Sequence, residues 1–260
     1  MRIMKNVVGQ AVNLTKEEME IYDRQIRITG FGIEGQKKLK SKRALVIGIG
    51  GLGSIIATYL TVAGVGKIIL VDRDKVELTN MNRQILYNID DVGKAKARVA
   101  AEKLRRMNPY VDVEGVVEEI NENNIDDYVK SVDIVLDGLD NFRTRLLVND
   151  ACVRYRRPFI HGAVSGFNGQ VMDIVPFKGP CLRCVVPKEP QEESKVVPVI
   201  GVTSALVGSI EALEAIKLLT GIGEPLVGYF LVINGLHMHF KTFKVVRRPN
   251  CPACGKEISK

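Results

Sequence analysis

The stretch LVIGIGGLGS, Leu45 to Ser54, sets Gly48, Gly50 and Gly53 in a G-x-G-x-x-G pattern between two apolar runs. Glycines at this spacing let a chain turn sharply out of a strand into a helix. They also bring bare backbone amides to the helix N-terminus, where the amides and the helix dipole attract phosphate. The apolar run KIILVD follows and ends on Asp72, 19 positions after Gly53. An acidic side chain at that distance meets the ribose hydroxyls of a bound nucleotide. A strand, a glycine turn, a helix and a second strand are therefore expected, with a nucleotide at the turn.

The rest of the chain extends this pattern. Thr15 and Glu18 form a capping-box pair that opens a helix, after an arm spanning residues 1–14. The segment GKAKARVAAEKLRRMNP reads as an amphipathic helix with Ala97, Ala100, Ala101, Leu104 and Met107 on its buried face and Pro109 as its stop. VDVEGVV and DIVLDGLD read as strands, the second ending on Asp140, and a helix follows through about Arg156. Strands alternating with helices imply a parallel, doubly wound sheet. Beyond Gly166 strands follow one another closely, in GQVMDIVP, LVGYFLVIN and HMHFKTFKVV, which predicts an antiparallel extension. GVTSALVGSIEALEAIKLLTG is a helix with Gly221 as its C-cap. The expected fold is thus a single α/β unit. A Rossmann-like nucleotide-binding part spans 15–165. An antiparallel part, 166–260, carries the Pro- and charge-rich surface connection VPKEPQEESKVVPVIG.

The net charge of +7 favours acidic partners, but the basic residues are scattered, so no nucleic-acid stripe is expected. Ala44 to Gly66 is uncharged and long enough to cross a bilayer, yet its six glycines fit a strand, a turn and a buried helix better. With no signal-peptide layout at the N-terminus, a cytoplasmic protein with no membrane partner is expected.

The glycine loop alone does not choose between NAD and ATP. Its surroundings favour ATP. Asn80 and Arg83 follow the second strand, Lys96 opens the next helix, Arg24 lies in YDRQIR, and Asp140 ends a later strand. Hydride transfer does not need this much charge. Attack on a phosphorus of ATP does, because an anionic nucleophile approaches an anionic chain and charge builds on the leaving pyrophosphate. Asp140 suits Mg²⁺, which takes one or two carboxylates together with phosphate and water.

Four of the five cysteines form two C-x-x-C pairs, Cys181/Cys184 and Cys251/Cys254. Four thiolates suit a closed, structural tetrahedral Zn²⁺; a redox dithiol and an iron–sulfur cluster are the alternatives. Cys152, mid-helix among apolar neighbours, reads as a buried thiol. His161 falls inside a strand and His237 and His239 alternate along one strand face. All three read as structural or surface residues.

The stretches YDRQI, GIGGLGS, DRDKVELTNMNRQ, VGKAKA, LDGLDN, GQVMDI, PCLRC and CPACG together resemble the molybdopterin-synthase and thiamine-biosynthesis adenylyltransferases (MoeB/ThiF type), relatives of the ubiquitin-activating enzymes. The match runs from Tyr22 to Gly255. The resemblance implies ATP, Mg²⁺ and structural zinc. It implies transfer of AMP to the C-terminal Gly-Gly carboxylate of a ubiquitin-like sulfur carrier, with release of pyrophosphate. By motif, Gly48, Gly50, Gly51 and Gly53 lie at the nucleotide and Asp72 holds the ribose. Asn80, Arg83 and Lys96 bind phosphates, Asp140 positions Mg²⁺, and Asn141 lies beside the nucleotide. Arg24 matches an arginine that reaches across a homodimer into the partner's site. Many members carry a cysteine in the connection after the first zinc pair; Val197 stands about there in this chain, and the family's proline in the next helix is Ala205. No thioester step is therefore expected. No rhodanese-like segment follows the last cysteine pair, so sulfur is expected from another protein. An NAD(P)-dependent oxidoreductase and an ATP-dependent dehydratase of a tRNA base are the alternatives in function.

Overall fold

The structure, a computed structural model, describes residues 12–189 and 197–255. Most of the expected N-terminal arm, and residues 190–196 of the Pro-rich connection, lie outside the described residues.

Helix α1 (Lys16–Ile21) opens on the capping box: Thr15 Oγ1 accepts from the Glu18 amide, and Glu18 accepts from the Thr15 amide. It runs through α2 (Asp23–Ile26) to α3 (Gly32–Lys40). The nucleotide-binding pattern follows as β1 (Arg43–Ile47), α4 (Gly51–Ala63) and β2 (Lys67–Val71), then α5 (Lys96–Met107) and β3 (Asp112–Val116). Next come α6 (Ile125–Lys130), β4 (Ile134–Asp137), α7 (Phe142–Arg154) and β5 (Phe159–Ser165). The chain then continues through β6 (Asn168–Ile174), α8 (Leu182–Val185), α9 (Gly201–Thr220), β7 (Tyr229–Asn234) and β8 (His239–Lys244).

Among the described residues, eight strands form one sheet in the order β3-β2-β1-β4-β5-β6-β7-β8. Neighbours are parallel from β3 across to β5 and antiparallel from β5 to β8. The sheet is therefore α/β, Rossmann-like and mostly parallel, with the expected antiparallel extension. Strand β1 is buried on both faces. Ala44 and Val46 join the apolar layer under α4 and α9; Leu45 and Ile47 join the layer that α6, α7 and α8 complete. This double coverage is why β1 reads as an unbroken apolar run rather than an alternating one. Gly221 ends α9 in the left-handed conformation, φ +77°, as its C-cap position requires.

Three expectations shift. Strand β4 stops at Asp137, three residues before Asp140. The chain turns at Gly138, which packs directly on the backbone of Gly48 and leaves no room for a Cβ. Burial along α5 ends at Leu104: this helix covers β2 and the edge strand β3, and Met107, its last residue, is half-exposed at the sheet's edge. His237 lies in the β7–β8 reversal rather than on the strand, and both it and His239 are exposed.

Among the described residues, no helix is long and apolar enough to cross a membrane. The apolar stretch from Ala44 to Gly66 folds as β1, the glycine turn and α4, as its glycines require.

Candidate active site

Strand β1 lies beside β4; β1 connects through α4 to β2 on one side, whereas β4 connects through α7 to β5 on the other. In open α/β sheets ligands bind at the carboxyl ends of strands at such a point. A cavity of about 810 Å³ opens there, walled by the glycine loop and by the ends of β1, β2 and β4. It extends over the antiparallel strands as far as Gln170 and Val232.

The loop geometry explains the glycines. Gly48 has φ +82°, and a Cβ on it would come within 2.5 Å of the Gly138 carbonyl. A Cβ on Gly53 would strike the Gly48 carbonyl, so the helix can start so close to the strand only at glycine. Gly50 caps α4 and, with Gly51, lines the cavity; Gly53 lies behind the turn, outside the wall. A Cβ on Gly51 would meet Ser204 Oγ of α9 at 2.9 Å, which puts a hydroxyl of the long helix on the wall beside the loop.

Asp72 is buried at the end of β2. Its Oδ2 accepts from the Ile49 amide at 2.6 Å and its Oδ1 from the Asp74 amide at 2.7 Å. It thus ties the glycine loop to the neighbouring strand while lining the cavity. Burial pushes its carboxyl above the usual range, and these two amides pull against that.

Two cations border the same cavity. Lys96, first residue of α5, is buried, with Nζ 3.3 Å from Asp74 Oδ2. Arg83 lies on the wall with its guanidinium on the Thr79 carbonyl and the Asn82 side chain, at 2.8 and 3.0 Å. Asp140 is exposed at the rim, with Asn141 Nδ2 donating to its Oδ1 at 3.2 Å; Asn141 Oδ1 caps α7 by accepting from the Thr144 amide.

Two expected residues stand elsewhere. Asn80 is off the wall: its Oδ1 accepts from the Glu77 amide and closes a single helical turn. Arg24 is exposed on α2, away from the cavity of its own chain. Val197 lines the cavity, and the following Pro198 carbonyl accepts from the Gly166 amide at 2.6 Å, which pins this end of the connection to the β5–β6 turn.

A group invisible in the sequence reaches from the wall, at Arg145, to buried side chains behind it. Asp137, Arg145 and His161 are buried together, the Arg145 Nε and the His161 Nδ1 lying 2.9 and 2.7 Å from Asp137 Oδ2. His161 is therefore a buried structural residue, but one with a carboxylate partner that its sequence neighbours do not supply. Glu211 of α9 presses its carboxyl against Gly162 beside this group, and burial, with Asp137 nearby, pushes that carboxyl well above its usual range. Cys152 is fully buried on α7, and burial pushes its thiol up, away from any nucleophilic role.

The four paired cysteines converge although the pairs are far apart in sequence. Their sulfurs all lie within 4.8 Å of one another and are buried. The two cross-pair contacts are 3.6 Å (Cys181–Cys251) and 3.5 Å (Cys184–Cys254). A tetrahedral metal with bonds of about 2.3 Å spaces sulfurs about 3.8 Å apart, so the set fits one divalent cation. Burial and the neighbouring sulfurs push the Cys181 thiol up, and a cation at the centre reverses that penalty.

Comparison with known proteins agrees with this architecture. The ThiF family matches residues 22–253. The chain belongs to the ThiF family. Protein HesA of Leptolyngbya boryana is 43% identical over 244 residues, covering 94% of this chain and 88% of its own. The sulfur carrier protein adenylyltransferase of Thermus thermophilus is 42% identical over 254 residues, covering 94% and 93%. Among solved structures, this ThiF-family chain is similar to MccB of E. coli in complex with MccA-N7isoASN. The TM-score is 0.84 at 26% identity, over 95% of this chain and 76% of that one. MccB with ATP gives a TM-score of 0.78.

Proposed function

We propose that this protein transfers AMP from ATP to the C-terminal Gly-Gly carboxylate of a ubiquitin-like sulfur carrier, releasing pyrophosphate. The observation that carries the reading is the charge at the nucleotide loop: buried Lys96, Arg83 and the rim carboxylate Asp140 border one cavity with Gly50, Gly51 and Asp72. This is the equipment of a nucleotidyltransferase. A relative with 42% identity along nearly its whole length is named as a sulfur carrier protein adenylyltransferase.

The chemistry asks little covalent help. A carboxylate oxygen of the carrier attacks the α-phosphorus; the new bond is C–O–P, and the bond to the bridging oxygen breaks with its electrons leaving on pyrophosphate. A carboxylate is already deprotonated, so no general base is needed, and rate comes from positioning and charge. Asp72 holds the ribose, and Gly48, Gly50 and Gly51 let the loop amides approach the phosphates. Lys96 and Arg83 face the charge that collects on the leaving group. Asp140, with Asn141 beside it, would hold Mg²⁺, which when bound neutralises phosphate charge. Arg24, exposed and away from its own cavity, fits a homodimer in which each subunit lends it to the partner. The connection from residue 186 to 201 contains no cysteine, so the acyl-adenylate is the end product here rather than a thioester.

The cysteine cluster is read as structural Zn²⁺, stapling the C-terminal segment to α8. Cys254→Ser, or chelation of the metal, is expected to cost about 3 kcal/mol, or roughly 10 °C in Tm for a chain of this size. ATP binding below the new Tm is expected to persist. Metal content by atomic emission with parallel melting curves checks this; loss of metal without a change in Tm would count against the staple.

The function itself is tested by ATP–pyrophosphate exchange, with and without each small Gly-Gly-ending protein of the same organism. Exchange that requires one of them is the expected result. ATP binding with no exchange for any carrier overturns the reading.

A further inference from the structure

One group on the cavity wall has an orientation that its surroundings dictate. Gln170 sits mid-strand on β6, half-buried, and lines the cavity. Its register partners are Ala163 on β5 and Val232 on β7, and both also line the cavity. Gln170 thus faces the part of the cavity over the antiparallel strands, whereas Asp72 and the glycine loop mark the nucleotide end at β1 and β2.

Behind Gln170 runs a chain of hydrogen bonds. Asp137 Oδ1 accepts from the Leu139 amide at 3.0 Å, and Oδ2 accepts from Arg145 Nε at 2.9 Å. His161, fully buried, places Nδ1 at 2.7 Å from that same Oδ2. On the other side of the ring, His161 Nε2 lies 3.1 Å from Gln170 Nε2.

The polarity of this chain follows from what each group can offer. A carboxylate bound to a guanidinium has only lone pairs to give, so His161 Nδ1 carries the proton and donates. Burial pushes the imidazole pKa down, against the pull of Asp137, and keeps the ring neutral. A neutral ring protonated on Nδ1 has a lone pair on Nε2. Only the NH₂ side of the Gln170 amide can satisfy it, so the carbonyl Oε1 turns away from His161.

We propose that His161 is a positioning residue that locks the Gln170 amide with its carbonyl oxygen toward the cavity, as a fixed acceptor for a peptide N–H of the incoming C-terminal tail. The proposal rests on the carrier-adenylation reading above. It makes Gln170 a specificity residue for the second substrate: the nucleotide end supplies donors and cations for phosphate oxygens, while this wall supplies an acceptor that an extended peptide can use.

The test begins with carrier-dependent exchange by the unaltered protein; its absence overturns the functional reading and this inference with it. Given exchange, Gln170→Leu is expected to raise the carrier KM about tenfold, the scale of one hydrogen bond left unmade in a dry site, with the ATP KM unchanged. His161→Leu is expected to do the same, and the double variant no more than either single one, because His161 acts only through Gln170. Additive losses, a change in ATP KM instead, or an unchanged carrier KM in Gln170→Leu overturn the proposal while leaving the activity established. Should His161→Leu fail to fold, ¹⁵N shifts of the unaltered protein decide the link, with only three histidines to assign. A protonated Nδ1 and bare Nε2 are expected for His161. The opposite tautomer would sink it.

Discussion

Lys96→Ala is expected to lower the kcat of carrier-dependent ATP–pyrophosphate exchange about 100- to 1000-fold, with little change in stability. The scale is that of removing one preorganised charge from a water-excluded site where charge develops in the transition state. Among the cavity cations not held by a buried carboxylate, as Arg145 is by Asp137, Lys96 is the most buried and so the strongest case. Its side chain is 8% exposed, whereas the Asp74 that it touches is 56% exposed. An ion pair so open on one side contributes about 0–1 kcal/mol to the fold, so the melting temperature should barely move. The ammonium is thus available to a ligand with little lost from the structure. Arg83→Ala is expected to act in the same direction, since among the described residues its guanidinium rests on the neutral oxygens of Thr79 and Asn82 and can leave them for phosphate. Initial rates at saturating ATP, beside a thermal melt of each variant, check both. Full activity in Lys96→Ala would remove the charge argument on which the ATP reading stands.

What the sequence shows of this site is what local rules govern. The glycine loop is legible because a strand, a tight turn and a helix start are set by residues within ten positions, and Gly48 and Gly53 have no substitute there. Asp72 is legible because the spacing of one βα unit fixes where the next strand ends. The cysteine set is legible by composition: two C-x-x-C pairs announce one shared cluster, and the fold brings the four sulfurs within 4.8 Å of one another. The Asp137–Arg145–His161 group has no such signature. Asp137 and His161 are 24 positions apart, and what joins them is the parallel register of β4 on β5, where Val135 pairs with Phe159 and Leu136 with Ile160. One step further along that register places Asp137 beside His161. Reading DIVLDGLD as a strand through Asp140 hides this, because it treats Asp137 as one more strand residue instead of the strand's last. Asn80 shows the converse: local bonding that its sequence position does not reveal. Its position just after β2 suggests a ligand contact, but an Asn at the third position of a turn satisfies the Glu77 amide, and the local bond holds it there.

Arg145→Leu is expected to cost about 3–5 kcal/mol of folding stability, because it strands a buried carboxylate without its cation. Arg145 donates from Nε to Asp137 at 2.9 Å, and from its terminal nitrogen to the Leu139 carbonyl at 2.5 Å and to the Gly162 carbonyl at 3.0 Å. These bonds span the end of β4, the turn that leads to Asp140, and the middle of β5. The double variant Asp137→Leu/Arg145→Leu separates the two effects. Removing both charges is expected to recover part of the loss, as replacement of a whole buried pair by apolar groups commonly does. It is not expected to recover activity, because the turn carrying Asp140 and Asn141 loses its anchor and His161 loses the acceptor that fixes its proton. Urea unfolding with exchange kinetics on both variants reads the two consequences apart. Equal stability of Arg145→Leu and the unaltered protein would mean that this pair does not hold the floor of the cavity.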